Sequence, residues 1–208
     1  MVNVLLVDDT KVGRDCIAGY LRGSDRYCLV NAFDRASQAE PFCEKNYVDL
    51  ILMDCYTAEQ EDGIAAAASI KAHMPNIRII IVTGLTSYEL LSRAKEAGAD
   101  GFWHKEFSEE ELISVMDCVM SGGTVYPDKP PAVKIGNILS TEIKPMQLEV
   151  LKLIVKGYSN ASIAAELHIS VDAVKWYIKE LYQKTGYSNR VELAVDVISK
   201  RFVVPGLN

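Results

Sequence analysis

Four short apolar runs in this sequence are followed by side chains that could carry out chemistry. Asp8 and Asp9 follow the first run, Asp54 follows the second, Thr83 closes the third and Lys105 comes just after the fourth. If these runs are parallel β-strands, their carboxyl ends meet at one edge of a sheet, where the chemistry of such folds collects. We therefore expect these side chains to form one cluster.

The side chains of this expected cluster suit phosphoryl transfer. Three carboxylates held together raise one another's pKa values unless a cation joins them, and Mg²⁺, which prefers oxygen ligands, meets this need. Lys105 would add positive charge, and Thr83 could donate a hydrogen bond to a phosphoryl oxygen. The set favours in-line transfer of a phosphoryl group to Asp54, because positioning and electrostatics dominate that reaction. Singly, Asp54 could be a turn residue, Asp8 and Asp9 a helix cap, and Lys105 a solvated side chain.

The elements that must position these side chains alternate along the first part of the chain. Short apolar runs with the composition of buried strands occur at 3–7, 27–32, 50–54, 77–82 and 101–103. Apolar residues at helical spacing, with caps such as Ser108, predict helices at 12–21, 36–46, 63–74, 87–97 and 109–120. The alternation predicts an α/β fold with a five-stranded, doubly wound parallel sheet.

The bulk composition is that of an ordinary globular protein. The 208 residues are 49% hydrophobic and 24% charged, which suits one or two domains. No apolar run reaches the roughly 18 residues of a membrane span and no signal peptide is evident, so we expect a soluble cytoplasmic protein with no membrane partner. The five cysteines form no C-x-x-C pair and are expected to be reduced thiols.

The second part of the chain differs from the first in charge. Residues 1–128 carry 11 basic and 21 acidic side chains, whereas residues 129–208 carry 11 and 7. Glycines and prolines between the two parts are typical of a linker. Beyond them, periodicity and caps predict an all-α part with four helices, at 145–156, from about 160, at 170–185 and at 190–202. The very short turn between the second and third predicts a helix-turn-helix.

The third of these helices has two different faces. At about 100° per residue, its core side carries Val174, Ile178, Leu181 and Thr185. The opposite side carries Lys175, Trp176, Lys179 and Gln183. Lysines can neutralise phosphates or reach guanine, and glutamine can read adenine, so this face could bind double-stranded DNA. The alternative is a solvated basic face with Trp176 folded back onto a neighbouring helix.

Residues 2–121 resemble the receiver domain of two-component response regulators. The matching positions are the strand-end residues Asp8, Asp9, Asp54, Thr83 and Lys105, with Phe102 at the place of the family's switch aromatic. The resemblance implies that a histidine kinase phosphorylates Asp54. It also implies catalytic roles for Thr83 and Lys105, and a reorientation of Thr83 and Phe102 when the phosphoryl group arrives.

The same resemblance implies a Mg²⁺ site. The ion would be held by Asp9, Asp54 and the backbone carbonyl of Tyr56, with Asp8 assisting. The loop after Asp54 departs from the family: the usual Met-Pro dipeptide is absent, and Gly63 lies one residue farther along than the corresponding glycine. This loop shapes the metal site and the access of the kinase.

Residues 145–194 resemble the LuxR-type DNA-binding domain of the NarL/FixJ subfamily. The match includes Pro145, Leu148 to Leu151, Gly157, Ser159, Asn160, Ile163, Ala164, Leu167, Ile169, Ser170, Val174, Lys175, Lys184, Gly186, Asn189 and Arg190. The family would place Lys175, Trp176 and Lys179 at the major groove. Together with Gln183 on the same face, and with Ser159 and Asn160 at the start of the preceding helix, they form the expected DNA-binding set.

The two resemblances predict a two-domain transcription regulator rather than an enzyme. We expect a receiver domain at 1–121, a linker at 122–140 and a helix-turn-helix domain at 141–208, acting as a homodimer on paired half-sites. Two alternatives are also consistent with the sequence. One is a regulator controlled by a ligand or protein without phosphorylation, and the other is a phosphohydrolase with an aspartate nucleophile.

Overall fold

The computed structural model of the chain describes residues 1–108, 111–129 and 131–203, apart from the side chain of Tyr88. They divide into two compact units. Of these described residues, those within 1–84 and 88–129 form the first unit, and those within 85–87 and 131–203 form the second.

In its described residues, the first unit contains a parallel sheet, a separate short hairpin and five α-helices. Its strands are β1 (Val2–Val7), β2 (Tyr27–Phe33), β3 (Leu50–Met53), β4 (Tyr56–Thr57), β5 (Glu61–Asp62), β6 (Arg78–Thr83) and β7 (Gly101–His104). Its helices are α1 (Lys11–Arg22), α2 (Ala39–Cys43), α3 (Gly63–His73), α4 (Tyr88–Glu96) and α5 (Leu112–Met120). Five strands form the sheet in the order β2-β1-β3-β6-β7, while β4 and β5 pair antiparallel outside it. The predicted doubly wound α/β fold is confirmed.

The central strands are apolar along their whole length because helices cover both faces of the sheet. All four residues of β3 are buried. On one face, α1 and α5 pack with alternate residues of the strands into a single core that includes Leu6, Leu52 and Val82. The right-handed rule for parallel crossovers places the helices between β2 and β7 on the other face.

Two predicted helices differ from those in the structure. Instead of one helix at 36–46, the chain forms a 3₁₀ turn at Ala36–Gln38 and then the short α2. Side chains after β3 cap this turn by accepting hydrogen bonds from the backbone nitrogens of Ala36 and Ser37. The predicted first turn at 109–110, which Ser108 would cap, lies outside the described residues; in the described part, α5 begins at Leu112, and the Ser108 hydroxyl accepts a hydrogen bond from the His104 nitrogen.

Between residues 131 and 203, the part that the structure describes, the second unit has one core built from four α-helices and a small hairpin. The helices are α6 (Pro145–Val155), α7 (Asn160–Glu166), α8 (Val171–Thr185) and α9 (Arg190–Ser199), and the strands are β8 (Lys134–Ile135) and β9 (Ile138–Leu139). All four helices contribute buried residues to the core, and so does β8. Four residues separate α7 from α8, and α8 ends at Gly186 in the left-handed conformation, with φ 80°.

Candidate functional site

Three carboxylates meet at the carboxyl edge of the sheet. Asp8 and Asp9 directly follow β1, and Asp54 follows β3, which is hydrogen-bonded to β1. The Asp54 nitrogen donates to the Val7 carbonyl at 2.8 Å, which fixes the two strand ends side by side. One oxygen from each carboxylate lies within 4.8 Å of the others. Asp8 and Asp54 are buried while Asp9 is exposed, so the group could hold a metal ion and remain open to solvent on one side.

Lys105 joins two of these carboxylates. It follows β7, and its backbone nitrogen donates to the Thr83 carbonyl at 2.8 Å. Its Nζ lies 2.7 Å from Asp8 Oδ2 and 2.6 Å from Asp54 Oδ2. A single cation therefore compensates two buried carboxylates, which would otherwise be costly to place side by side.

The pKa values of the two buried carboxyls shift in opposite directions. Burial raises the pKa of Asp54 to about 6, against the opposing effect of Lys105. Burial also opposes ionisation of Asp8, but hydrogen bonds from Lys105 and Thr10 outweigh it and hold the pKa of Asp8 below its ordinary value. Two nearby carboxylates whose pKa values move apart are typical of functional sites, because one of them is kept poised for reaction.

Thr83 and Phe102 lie on one face of the sheet. Thr83 is fully buried at the end of β6, and Phe102 is buried two residues before the end of β7. Phe102 pairs with Ile81, two residues before Thr83, so the side chains of Phe102 and Thr83 point to the same side. The Thr83 side chain is hydrogen-bonded to the thiol of Cys55, whose pKa is raised by burial.

The segment after Asp54 folds as the β4–β5 hairpin. The Gly63 nitrogen donates to the Cys55 carbonyl at 2.9 Å and closes the base of this hairpin. Gly63 has no side chain at a point where a Cβ would overlap the Asp54 carbonyl oxygen. Tyr56 lies in β4, two residues after Asp54; a metal contact by its carbonyl stays a prediction.

The second unit places the predicted DNA-binding residues at the start of α7 and along the outward face of α8. Ser159 caps α7 by accepting a hydrogen bond from the Ser162 nitrogen at 3.1 Å. The buried residues of α8 are the ones its spacing predicts, namely Val174, Ile178, Leu181 and Thr185. On the outward face, the side chains at positions 175, 176, 179 and 183 are all exposed.

Trp176 is the most unusual of these outward residues. It is 54% exposed and makes an edge-on contact with Tyr177, with ring centroids 4.9 Å apart. An exposed tryptophan of this kind is available to a partner surface. Lys175 pairs with Asp172 at 2.9 Å on the same helix, and both side chains are largely exposed, so this pair contributes little to stability.

Arg190 belongs to the same surface, although on sequence it was only a family match and a helix start and lay outside the expected DNA-binding set. Its NH1 donates to Asn160 Oδ1 at 3.2 Å, and its NH2 donates to the Tyr158 carbonyl, so it ties α9 to the start of α7. A surface pocket of about 340 Å³ lies between α7, α8 and α9 and is lined by Asn160, Lys175, Ile178, Lys179, Tyr182 and Arg190. Three cations around one pocket suit a phosphate group.

The fold and the cluster of the first unit are those of a receiver domain, and the second unit is a helix-turn-helix domain. A family model described as "Response regulator receiver domain" matches residues 4–117, and one described as "Bacterial regulatory proteins, luxR family" matches residues 145–197. The chain therefore belongs to the response regulators, within the NarL/FixJ subfamily. These are signalling proteins rather than enzymes, which sets aside the phosphohydrolase alternative.

Similar proteins cover nearly the whole chain. The response regulator protein VraR of Staphylococcus aureus is 28% identical over 200 residues, covering 93% of this chain and 95% of VraR. A structure of two RcsB dimers bound to two parallel DNAs has a TM-score of 0.63 at 22% identity, covering 95% of this chain and 98% of RcsB. RcsB of Salmonella enterica serovar Typhimurium, bound to promoter rprA with the phosphomimetic BeF3-, has a TM-score of 0.61 at 23% identity, covering 96% and 99%. Within the described ranges, no helix has the length and apolar character to cross a membrane.

Proposed function

We propose that this response regulator is switched by phosphorylation of Asp54 and that the switch controls DNA binding by its second domain. The observation that carries the proposal is the juxtaposition of Asp8, Asp9 and Asp54 within 4.8 Å, with Lys105 bound to two of them. In the reaction, an Asp54 oxygen attacks phosphorus and the bond from phosphorus to the histidine nitrogen of a kinase breaks. The imidazole leaves and the new acyl phosphate remains on Asp54.

The residues present fit a Mg²⁺ ion. The acidic group supplies hard oxygen ligands and is open to solvent at Asp9, as a partly hydrated ion requires. Asp9, Asp54 and the Tyr56 carbonyl would hold the ion, with Asp8 assisting, and the ion would offset charge on the phosphoryl oxygens. The Lys105 ammonium group, which already contacts Asp8 and Asp54, would also bind a phosphoryl oxygen.

The switch would run through Thr83 and Phe102. Thr83 would exchange its hydrogen bond with Cys55 for one to a phosphoryl oxygen. Movement of Thr83 changes the packing space on the sheet face that it shares with Phe102. Because a packed core moves between discrete arrangements, a small shift at the phosphoryl group can become a change at the domain surface.

The second domain would read double-stranded DNA. Lys175, Trp176, Lys179 and Gln183 would enter the major groove, while Ser159 and Asn160 would contact the backbone at the start of α7. The two RcsB structures named above are bound to DNA, and in one of them RcsB forms dimers.

We further propose a homodimer that uses α9. Val191, Val195 and Ile198 recur at helical spacing along this helix and are 70%, 59% and 38% exposed. Such an apolar stripe is suited to a second copy of itself, because paired half-sites in DNA require two-fold symmetry. We keep 1–121 as the receiver domain, 122–140 as the linker and 141–208 as the DNA-binding domain, and we expect a cytoplasmic protein.

The test compares the wild-type chain with Asp54→Asn. Both are treated with acetyl phosphate and Mg²⁺, phosphoryl incorporation is measured by intact-protein mass, and binding to duplex DNA selected from a random pool is measured in parallel. We expect incorporation and a change in DNA affinity in the wild type alone. Normal labelling of Asp54→Asn would refute the acceptor assignment. DNA binding that ignores phosphorylation of the wild type would favour control by a ligand or protein.

A further inference from the structure

The hairpin that follows Asp54 is too short to hold its shape alone. Strands β4 and β5 have two residues each, and the turn between them places Glu59 and Gln60 at φ 60°. An isolated two-stranded hairpin is marginal in water even when it is longer. The position of Tyr56 relative to Asp54 therefore depends on contacts that the hairpin makes with other elements.

One side of the hairpin is fastened to the connection after β2. Glu61 accepts hydrogen bonds from the backbone nitrogen and the hydroxyl of Ser37, both at 2.8 Å. Arg35 pairs with Glu59 at 2.7 Å. Thr57 accepts a hydrogen bond from the Ala36 nitrogen at 2.9 Å. These contacts fix the tip and the outer edge of the hairpin.

The other side is held by Arg93 of α4. The Arg93 NH1 donates to the Tyr56 hydroxyl at 3.0 Å, and its NH2 pairs with Asp62 Oδ2. One guanidinium therefore binds one residue from each strand of the hairpin. The other oxygen of Asp62 accepts from the nitrogens of Ile64 and Ala65, both at 3.0 Å, and so caps α3.

The ion pair between Arg93 and Asp62 is partly shielded from water. The side chains of Arg93 and Asp62 are 27% and 33% exposed, so the pair is less screened than an ion pair on the open surface. The Gly63 nitrogen, next to Asp62, closes the hairpin onto the Cys55 carbonyl. The series of contacts that starts at Arg93 and runs through Asp62 and Gly63 therefore ends at Cys55, one residue from Asp54.

We propose that Arg93 is a positioning residue for the phosphorylation site. By clamping Tyr56 and Asp62 together, it sets where the Tyr56 carbonyl lies beside Asp54 and ties that position to α4. This inference rests on the proposed function, since it concerns the metal and phosphoryl chemistry of Asp54. It also assigns a role to the loop that departs most from the family.

Arginine suits this role better than lysine. Its planar guanidinium presents donors in a fixed arrangement and can serve two acceptors at once, whereas an ammonium group is a point charge on a flexible stem. Arg93→Lys should retain the pair with Asp62 and lose the simultaneous hold on Tyr56. Tyr56→Phe should remove only the hydroxyl contact and leave the backbone intact.

The experiment uses the full chain in four variants. They are Arg93→Gln, Arg93→Lys, Tyr56→Phe and, as a matched control, Arg22→Gln, since Arg22 is exposed and hydrogen-bonds within its own helix. Mn²⁺ alone is the metal probe, with free ion measured by electron paramagnetic resonance. Phosphorylation by acetyl phosphate is followed as a function of Mg²⁺, which separates the half-saturating concentration from the maximal rate.

We expect Arg93→Gln to weaken Mn²⁺ binding about fivefold, in keeping with the loss of partly exposed charge-assisted hydrogen bonds. The half-saturating Mg²⁺ concentration should rise by a similar factor and exceed the change in maximal rate. Arg93→Lys and Tyr56→Phe should fall between Arg93→Gln and the wild type, while Arg22→Gln should match the wild type.

Two results would overturn the inference. One is wild-type Mn²⁺ binding and phosphorylation in Arg93→Gln. The other is wild-type Mn²⁺ binding and phosphorylation in both Arg93→Lys and Tyr56→Phe, which would show that Arg93 acts only through its positive charge. Tyr56→Phe keeps the test decisive if Arg93→Gln fails to fold. If the wild type itself neither binds Mn²⁺ nor accepts a phosphoryl group, it is the proposed function that fails.

Discussion

Replacing Lys179 with alanine should change how DNA binding responds to salt. Lys179 is exposed on the outward face of α8 and borders the basic pocket with Lys175 and Arg190. Within the part of the chain that the structure describes, no carboxylate pairs with Lys179, whereas Lys175 already pairs with Asp172. Lys179 is therefore the cation of α8 with most to gain from a phosphate.

The size of the effect follows from counterion release. One phosphate contact contributes a slope of about 0.9 to the logarithm of affinity against the logarithm of salt concentration. Between about 50 and about 200 mM salt, that slope corresponds to a factor of about 3.5. The advantage of the wild type over Lys179→Ala should therefore shrink by about 3.5-fold across this range if one copy contacts the DNA, and by about 12-fold if two copies do.

Fluorescence anisotropy of a labelled duplex, titrated with each protein at several salt concentrations, measures both slopes. Lys200→Ala is the control, because it removes one exposed lysine from the same domain but lies beyond the end of α9. Parallel salt slopes for the wild type and Lys179→Ala would refute the assignment of Lys179 to a phosphate. An equal change in Lys200→Ala would show that the effect is one of net charge.

Two further predictions concern the receiver domain. The buried Asp100 carboxylate accepts hydrogen bonds from Lys71 Nζ at 2.6 Å and Arg78 NH1 at 2.7 Å. These contacts outweigh the effect of burial and lower the pKa of Asp100. The stability that the ionised Asp100 contributes is therefore present above about pH 4 and is lost as the pH falls through its lowered pKa in the folded state. Asp100→Asn should cost about 2–4 kcal/mol in urea unfolding at pH 7, and this cost should fall progressively as the pH is lowered below about 4; a cost that does not change with pH would contradict this. Gly63→Ala should lower the free energy of unfolding by about 1–3 kcal/mol and slow phosphorylation, because the new Cβ would overlap the Asp54 carbonyl oxygen. Gly19→Ala is the control and should not destabilise the chain, because its Cβ would meet no atom within 4 Å. Equal melting temperatures for Gly63→Ala and the wild type would contradict the overlap.

The sheet edge was predictable because strand ends are marked locally in the sequence. Apolar runs of buried strands stop abruptly at Asp8, Asp54 and Thr83, and parallel pairing then brings those stops together without further information. The core face of α8 was predictable for a similar reason. Its spacing and its caps, Ser170 and Gly186, are properties of one helix and do not depend on a distant partner.

The hairpin after Asp54 could not be predicted in this way. Its two-residue strands are too short to show an alternating pattern, and most of its residues are polar because they bond to α4 and to the turn after β2 rather than to a core. Arg93 illustrates the limit: on sequence it is one more basic residue near a helix end, and its partner Asp62 lies 31 positions earlier. A residue type can reveal the chemistry that a side chain offers, but only the fold reveals which group receives it. For this reason the part of the site that departs from the family is also the part for which the structure adds most.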